Sequence, residues 1–297
     1  MTVRPIEFEA HAAPSPLRRA REVWRYRELL GNLVRKELKV KYKNSALGFV
    51  WSLLNPALYL VVFYVVFQVV LKAGIPNFAI FLLSGLLPWN LFSASLGGSC
   101  QSIVGNASLV GKVWFPREIL PLAAVGAALV HFFLQLTVLL AALVVFRYAP
   151  DPAYMPVALV ALVVLVVLAG AIGIGLAAVN VPLRDTAHLL ELALLAWFWV
   201  TPIVYQYQAL GDRLGSWALL NPVTPVVLAF QRAIYGERQV EAGGSSRLGT
   251  TTQGILPDES VWWYFRNVAV LGVVSVLLLL GALWLFGRLE GDFAEEL

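Results

Sequence analysis

Residues 155–179 read MPVALVALVVLVVLAGAIGIGLAAV, without one charged, amide or hydroxyl side chain. A run of this length exceeds the roughly 20 apolar residues a helix needs to cross the hydrocarbon of a bilayer. Five more runs of similar character lie at about 46–71, 78–103, 119–146, 187–207 and 267–287. The composition agrees: 13% of the residues are charged and 59% are hydrophobic, against roughly 25% charged in a soluble domain. The expected fold class is an all-α integral membrane protein with six transmembrane helices.

Six spans put both ends of the chain on one side. Of the 22 Lys and Arg residues, Lys72, Arg147, Arg213, Arg232, Arg238, Arg247 and Arg266 then fall on the opposite side, and the other 15 share the side of the termini. The positive-inside rule makes that side the cytoplasm. Residues 1–20, with Pro5, Pro14 and Pro16, read as a disordered tail that lacks the apolar core of a signal peptide. Residues 21–45 read as a cytoplasmic amphipathic helix. Tyr26, Leu30, Leu33, Val34, Leu38 and Tyr42 recur among Arg25, Arg27, Arg35, Lys36 and Lys39, a pattern suited to the headgroup plane or to a solvated charged face. The six-helix domain then occupies 46–290. Its outer region, about 208–262, has apolar stretches broken by Asn221, Pro222 and Pro225, which predicts a pair of short re-entrant or interfacial helices before the last span. EAGGSSRLGTTTQG (241–254) reads as a flexible outer loop, and Trp262, Trp263, Tyr264 and Phe265 as an aromatic belt ahead of the last span.

Several chemistries are excluded. Cys100 is the one cysteine, and His11, His131 and His188 lie far apart, so neither zinc spacing nor a Cys/His nucleophile is visible. The loop LVGKVWFPREILPL (109–122) contains a Gly-Lys pair, but five residues separate Gly105 from Gly111 where a phosphate loop needs four. Val113 also replaces the Ser or Thr that would hold magnesium. Pro116 and Pro121 bracket a helix start with Arg117 and Glu118 in its first turn, and Asn106 to Val113 suit a short helix parallel to the membrane. An ordinary positive-inside loop is the plainer alternative. NVPLRD (180–185) repeats the design, with Arg184 and Asp185 at the head of the fifth run, where a capping pair is the plainer account.

Polar and aromatic residues inside the runs are the remaining pointers. Glu191 follows His188 by three positions, so the two share a helix face, either towards protein or water or as a pair reaching the cytoplasmic surface. His131 and Gln135 suit interhelical hydrogen bonding. Trp197, Phe198 and Trp199 lie too deep for a belt and could stack on sugar rings or pack between helices. Successive residues point about 100° apart on a helix, so at most two of the three face one channel. Pro202 is expected to kink the helix above them.

Taken in order, YKNSALGFVWSLLNPAL (42–58), GKVWFPREILP (111–121), NVPLRD (180–185), WVTPIVY (199–205) and LLNPVTP (219–225) resemble the permease subunits of ABC-2 polysaccharide exporters. That group handles O-antigen, teichoic acid, capsule and galactan, and the resemblance spans roughly 25–290. It implies a homodimer in a bacterial inner membrane, joined by two copies of a separate ABC ATPase that binds ATP and Mg. The chain itself then has no catalytic, cofactor or metal site, and no nucleic-acid partner is expected. The implied cargo is a polyprenyl-diphosphate-linked polysaccharide. Asn106, Leu109, Lys112, Phe115, Arg117, Glu118, Arg184 and Asp185 become the ATPase-coupling residues, and the amphipathic helix a gate. Arg35, Lys36, Lys39, Lys41 and Lys43 would attract the diphosphate headgroup, as they would anionic membrane lipid. Glu191, Trp197, Phe198 and Trp199 would line the channel. The family's second-loop turn usually carries an aromatic before Arg-Asp, where this chain has Pro182 and Leu183. An ABC-2 drug or antibiotic exporter is the nearest alternative. A polyprenyl-phosphate-processing membrane enzyme is another, with Asp185, His188 and Glu191 as its only candidate group.

Overall fold

A computed structural model describes residues 16–43, 50–70, 75–210, 217–236, 239–241 and 252–296. The first fifteen residues of the expected tail, the turn at 44–49, Lys72, Arg213 and most of the 241–254 loop lie outside the described residues. In chain order, α1 (Pro16–Arg25) and α2 (Arg27–Tyr42) precede α3 (Val50–Phe63), which runs on as a π-helix over Tyr64–Val70. Then come α4 (Phe78–Gln101), α5 (Ala107–Val110), α6 (Ile119–Val145), α7 (Met155–Asn180) and α8 (Thr186–Val200). The chain closes with α9 (Thr224–Ile234), α10 (Val261–Leu289) and α11 (Phe293–Glu296). Four of these, α4, α6, α7 and α10, are long and apolar enough to cross a membrane, and two shorter apolar helices accompany them.

Helix α4 is the centre. It is apolar on every face, packs against α6, α7, α8 and α9, and buries most of its length. In hydrocarbon there is no hydrophobic drive between helices, so small residues that let backbones approach supply the packing. Gly173 of α7 shows this: a Cβ there would lie 2.7 Å from Ser99 Oγ and 2.8 Å from Ser99 Cβ of α4. Helix α10 lies along α7 and turns Val270, Val273 and Leu277 outward, as a lipid-facing stripe would.

The fifth run departs from expectation. Its helix stops at Val200 instead of continuing to about 207, and its 15 residues reach about 22 Å at 1.5 Å per residue, short of the roughly 30 Å hydrocarbon core. Pro202 has no N–H to continue the ladder. The Thr201 backbone turns extended (φ −92°, ψ 129°), and both its N–H and its Oγ bond back to the Trp197 carbonyl, at 3.1 and 2.8 Å. Pro202 therefore ends the helix and does not kink it. Irregular backbone at this depth survives only when protein covers it, and α9 does so. All eleven residues of α9 are buried, and Gln231 Nε2 lies 3.4 Å from the carbonyls of both Pro202 and Ile203.

Other boundaries move as well. Helix α1 starts at Pro16, inside the expected tail, and Arg19 is buried. The basic helix is two helices, broken at Tyr26. Helix α2 does not merely lie at a surface: Leu33 is buried and Val34 presses on Gly126 of α6. Of the expected outer pair, α9 is the second member, and residues 211–216 lie outside the described residues. The described fold is not purely helical either. Gln239–Glu241 pairs antiparallel with Thr252–Gly254, so the two ends of the 241–254 stretch are tied by backbone hydrogen bonds. The four aromatics from Trp262 form the start of α10 instead of preceding it. Tyr264 is buried and donates to the Pro257 carbonyl (2.8 Å), while Trp262 and Phe265 stack outside.

The glycine contacts give a paired expectation. Gly173→Ala forces a methyl into Ser99 and should cost roughly 1–3 kcal/mol, the usual overpacking range. Gly97→Ala meets nothing within 4 Å and should be neutral or slightly stabilising, since Ala is the better helix former. Thermal unfolding in detergent, with both variants side by side, reads the difference.

Candidate functional site

A cavity of about 720 Å³ opens beside the centre of the bundle. Lys41 and Tyr42 at the end of α2, Trp51, Tyr59 and Phe63 of α3, Trp89 and Asn90 of α4, His131 and Gln135 of α6, and Glu191, Phe198 and Trp199 of α8 line it. Two interhelical hydrogen bonds brace the wall. Tyr42 Oη meets His131 Nδ1 at 2.9 Å, and Asn90 Nδ2 donates to Gln135 Oε1 at 3.2 Å. His131 and Gln135 thus bond to helices on either side.

The aromatic trio divides as helical geometry demands. Trp197 turns away from the cavity, donates Nε1–H to Asn221 Oδ1 (2.8 Å) and meets Phe92 edge-on at 5.1 Å. Phe198 lies 5.9 Å from Phe63 and 5.6 Å from Trp89, and Trp199, 52% exposed, stands beside both Phe63 and Phe198. Phe198 and Trp199 both line the cavity. Glu191 is exposed there, and no hydrogen bond or ion pair joins it to His188 among the described residues. Flat apolar faces interleaved with amides, hydroxyls and one carboxylate suit a polyhydroxylated chain, whose rings have apolar faces and hydroxyl edges.

The loop between α4 and α6 does not present all of its expected residues. Lys112 is exposed, whereas Asn106, Leu109 and Arg117 are half-buried and Phe115 is buried. Glu118 is 2% exposed and pairs with Arg19 of α1, so it faces inward and cannot touch a docking partner in this conformation. Burial pushes its carboxyl above the ordinary range, Glu290 adds to that, and Arg19 opposes it. Sequence reasoning passed over Trp114, which is 80% exposed, and Val113, 55% exposed. A tryptophan in a polar loop was the available signal. In the second loop Arg184 and Asp185 are exposed. Asp185 stands at the N-cap of α8 without a capping hydrogen bond, so the pair is not a cap, and Arg184 reaches the Glu296 carbonyl at 3.4 Å.

The basic cluster also splits. All five residues, Arg35, Lys36, Lys39, Lys41 and Lys43, are exposed, and Lys41 faces the cavity. Lys36 instead donates to Asn106 Oδ1, tying α2 to the loop. That bond links two residues given separate roles by sequence, the headgroup and the ATPase. Asn90, Tyr42, Trp89 and the α3 aromatics were not expected at the site. An asparagine in an apolar run carries the same signal as Gln135 and could have been found.

Comparison with known proteins gives a consistent picture. A sequence model of the family described as ABC-2 type transporter matches residues 28–235. The chain is 34% identical over 285 residues to the O-antigen export system permease protein RfbA of Myxococcus xanthus, covering 95% of this chain and 100% of that one. It is 28% identical over 270 residues to the protein of the same name in Klebsiella pneumoniae, covering 91% and 95%. It is 22% identical over 202 residues to the polysialic acid transport protein KpsM of Escherichia coli, covering 67% and 78%.

The two tryptophans should respond differently to truncation. Trp197→Leu removes a hydrogen bond and an edge-on ring contact inside the bundle and should cost roughly 2 kcal/mol. Trp199→Leu, at the open cavity, should leave the unfolding midpoint nearly unchanged. Tryptophan-fluorescence melts of both variants check this.

Proposed function

The chain belongs to the ABC-2 type transporter family, and we propose that it exports a polyprenyl-diphosphate-linked polysaccharide across a bacterial inner membrane. It is a multi-pass permease, a transport component that leaves ATP hydrolysis to a partner. The observation that carries the choice of cargo is the cavity, where Trp51, Tyr59, Trp89, Phe198 and Trp199 offer ring faces among Asn90, Gln135 and Glu191. The O-antigen and polysialic acid relatives support the same cargo class. A drug-sized apolar cargo would not need that amide and carboxylate lining.

In this reading the working unit is a homodimer of six-span subunits, with α3 and α8 as the fifth and sixth spans beside the four long helices. Both termini are cytoplasmic. Leu189, Leu192, Leu195 and Trp199 form one exposed face of α8 beside the cavity mouth, a surface suited to a second copy that closes the conduit. Two ATPase subunits, which carry the ATP and Mg, dock on the loop that exposes Lys112, Val113 and Trp114 and on the second loop at Arg184 and Asp185. Lys39, Lys41 and Lys43 attract the diphosphate of the lipid carrier. Lys41 stands where the headgroup and the cavity meet.

Two measurements test this. The purified chain alone should turn over no ATP above background, and addition of its ATPase should confer turnover stimulated by lipid-linked glycan; turnover by the chain itself would refute the division of labour. In proteoliposomes of the full complex, Trp199→Leu should slow export of long glycan by up to about tenfold, the scale of one aromatic stack, with assembly intact. Unchanged export would remove stacking at Trp199 from the mechanism.

A further inference from the structure

Three charged side chains meet under the cytoplasmic end of the bundle, each from a different part of the chain. Arg19 of α1 donates through Nη1 to Glu118 Oε1, at the head of α6, and through Nη2 to Glu290 Oε2 at 2.9 Å, just beyond α10. Their side-chain exposures of 9%, 3% and 27% place the group inside the protein. Arg117, next to Glu118, donates to the Glu290 carbonyl (2.9 Å) and lies 5.8 Å from the Phe293 ring centre. Phe293 is 1% exposed and meets Phe286 of α10 edge-on at 5.4 Å. Room for the guanidinium comes from Gly287, where a Cβ would lie 3.0 Å from it.

Buried ion pairs add little net stability, because desolvation offsets their attraction, but they discriminate strongly between geometries. An apolar side chain of Arg19's size could fill this space, yet it could not require two carboxylates to stand on either side of it. The arrangement suits register more than cohesion. It also sits at the place where a force applied to the 106–118 loop must enter the bundle.

We propose that Arg19, shared between Glu118 and Glu290, is a positioning residue that locks the 106–118 loop to the cytoplasmic end of α10, so that the loop, α1 and the last helix move as one body. The inference rests on the reading that this loop receives the ATPase stroke. With the clasp closed, displacement of the loop reaches α10 directly, and through the Lys36–Asn106 bond it reaches α2, whose Tyr42 braces the cavity wall at His131. With the clasp open, only Arg117 still ties the loop to the end of α10, and ATP is consumed with less movement of the spans. Arg19 touches neither nucleotide nor glycan in this scheme and acts only through the loop.

The test compares wild type, Arg19→Gln, Arg19→Lys and Glu290→Gln in nanodiscs, first as the permease alone and then in the complex with its ATPase. In the permease alone, Arg19→Gln should raise hydrogen exchange of the 106–118 amides by about tenfold while core helices stay protected. In the complex, ATP turnover should persist while glycan exported per ATP falls several-fold. Arg19→Lys, which keeps the charge, should recover part of that ratio. Unchanged loop exchange in Arg19→Gln overturns the clasp, and a loosened loop with unchanged export per ATP overturns its role in coupling. Should wild type fail to bind any ATPase, the docking reading fails instead, and the exchange measurement still decides the clasp. If Arg19→Gln does not accumulate, Glu290→Gln opens one arm of the same group and is read identically.

Discussion

The carbonyls of Pro202 and Ile203 have to find a hydrogen-bond donor within the protein, and the architecture of the apolar half turns on how that is done. Hydrocarbon offers no donor, so a helix that breaks inside it must be covered by other chain. Gln231 brings an amide nitrogen to 3.4 Å from both oxygens. For Gln231 to reach them α9 has to be buried whole, and α4 has to present Gly85, where a Cβ would come within 2.8 Å of that nitrogen. The break in turn sets the end of α8. Trp197, held to Asn221, is drawn into the bundle, which leaves Phe198 and Trp199 on the cavity side.

Helix α2 joins the two ends of the molecule. Near its middle Lys36 grips Asn106 in the loop between α4 and α6, and at its end Tyr42 bonds His131 in the cavity wall. Leu33 and Val34, just before Lys36, pack it against the bundle. The stretch of helix between those two bonds transmits displacement because its backbone hydrogen bonds resist shortening. The basic residues without a bond to the loop, Arg35, Lys39, Lys41 and Lys43, then ride on an element coupled to both the loop and the cavity.

The helical runs were legible because an apolar stretch in lipid has few alternatives to a helix, and the starts of α4, α6 and α7 fall at or within a residue of their expected positions. Two things were not legible. The fifth helix ends early because a proline's missing N–H becomes tolerable as a break only when a distant glutamine supplies a donor, and no local pattern records that. Glu118 was expected at a docking surface through the family resemblance, and charged residues in a polar loop are normally solvated. Its partner Arg19 lies 99 positions away in what reads as tail.

The sequence by itself determined the solvent of this protein, the places where helices run, and the absence of a nucleotide loop in the Gly-Lys stretch. Those follow from composition, run length and spacing, which are one-dimensional. Only the tertiary structure decided which face of each helix meets another helix and which meets the cavity. It turned Trp197 inward and Trp199 outward, bound Lys36 to Asn106, and buried Glu118 between two chain segments. The physical reason is that an apolar helix in lipid carries no stripe that marks its inside, so neighbours are chosen by close approach at glycine and by polar groups that must find a partner. Both depend on residues far apart in the chain.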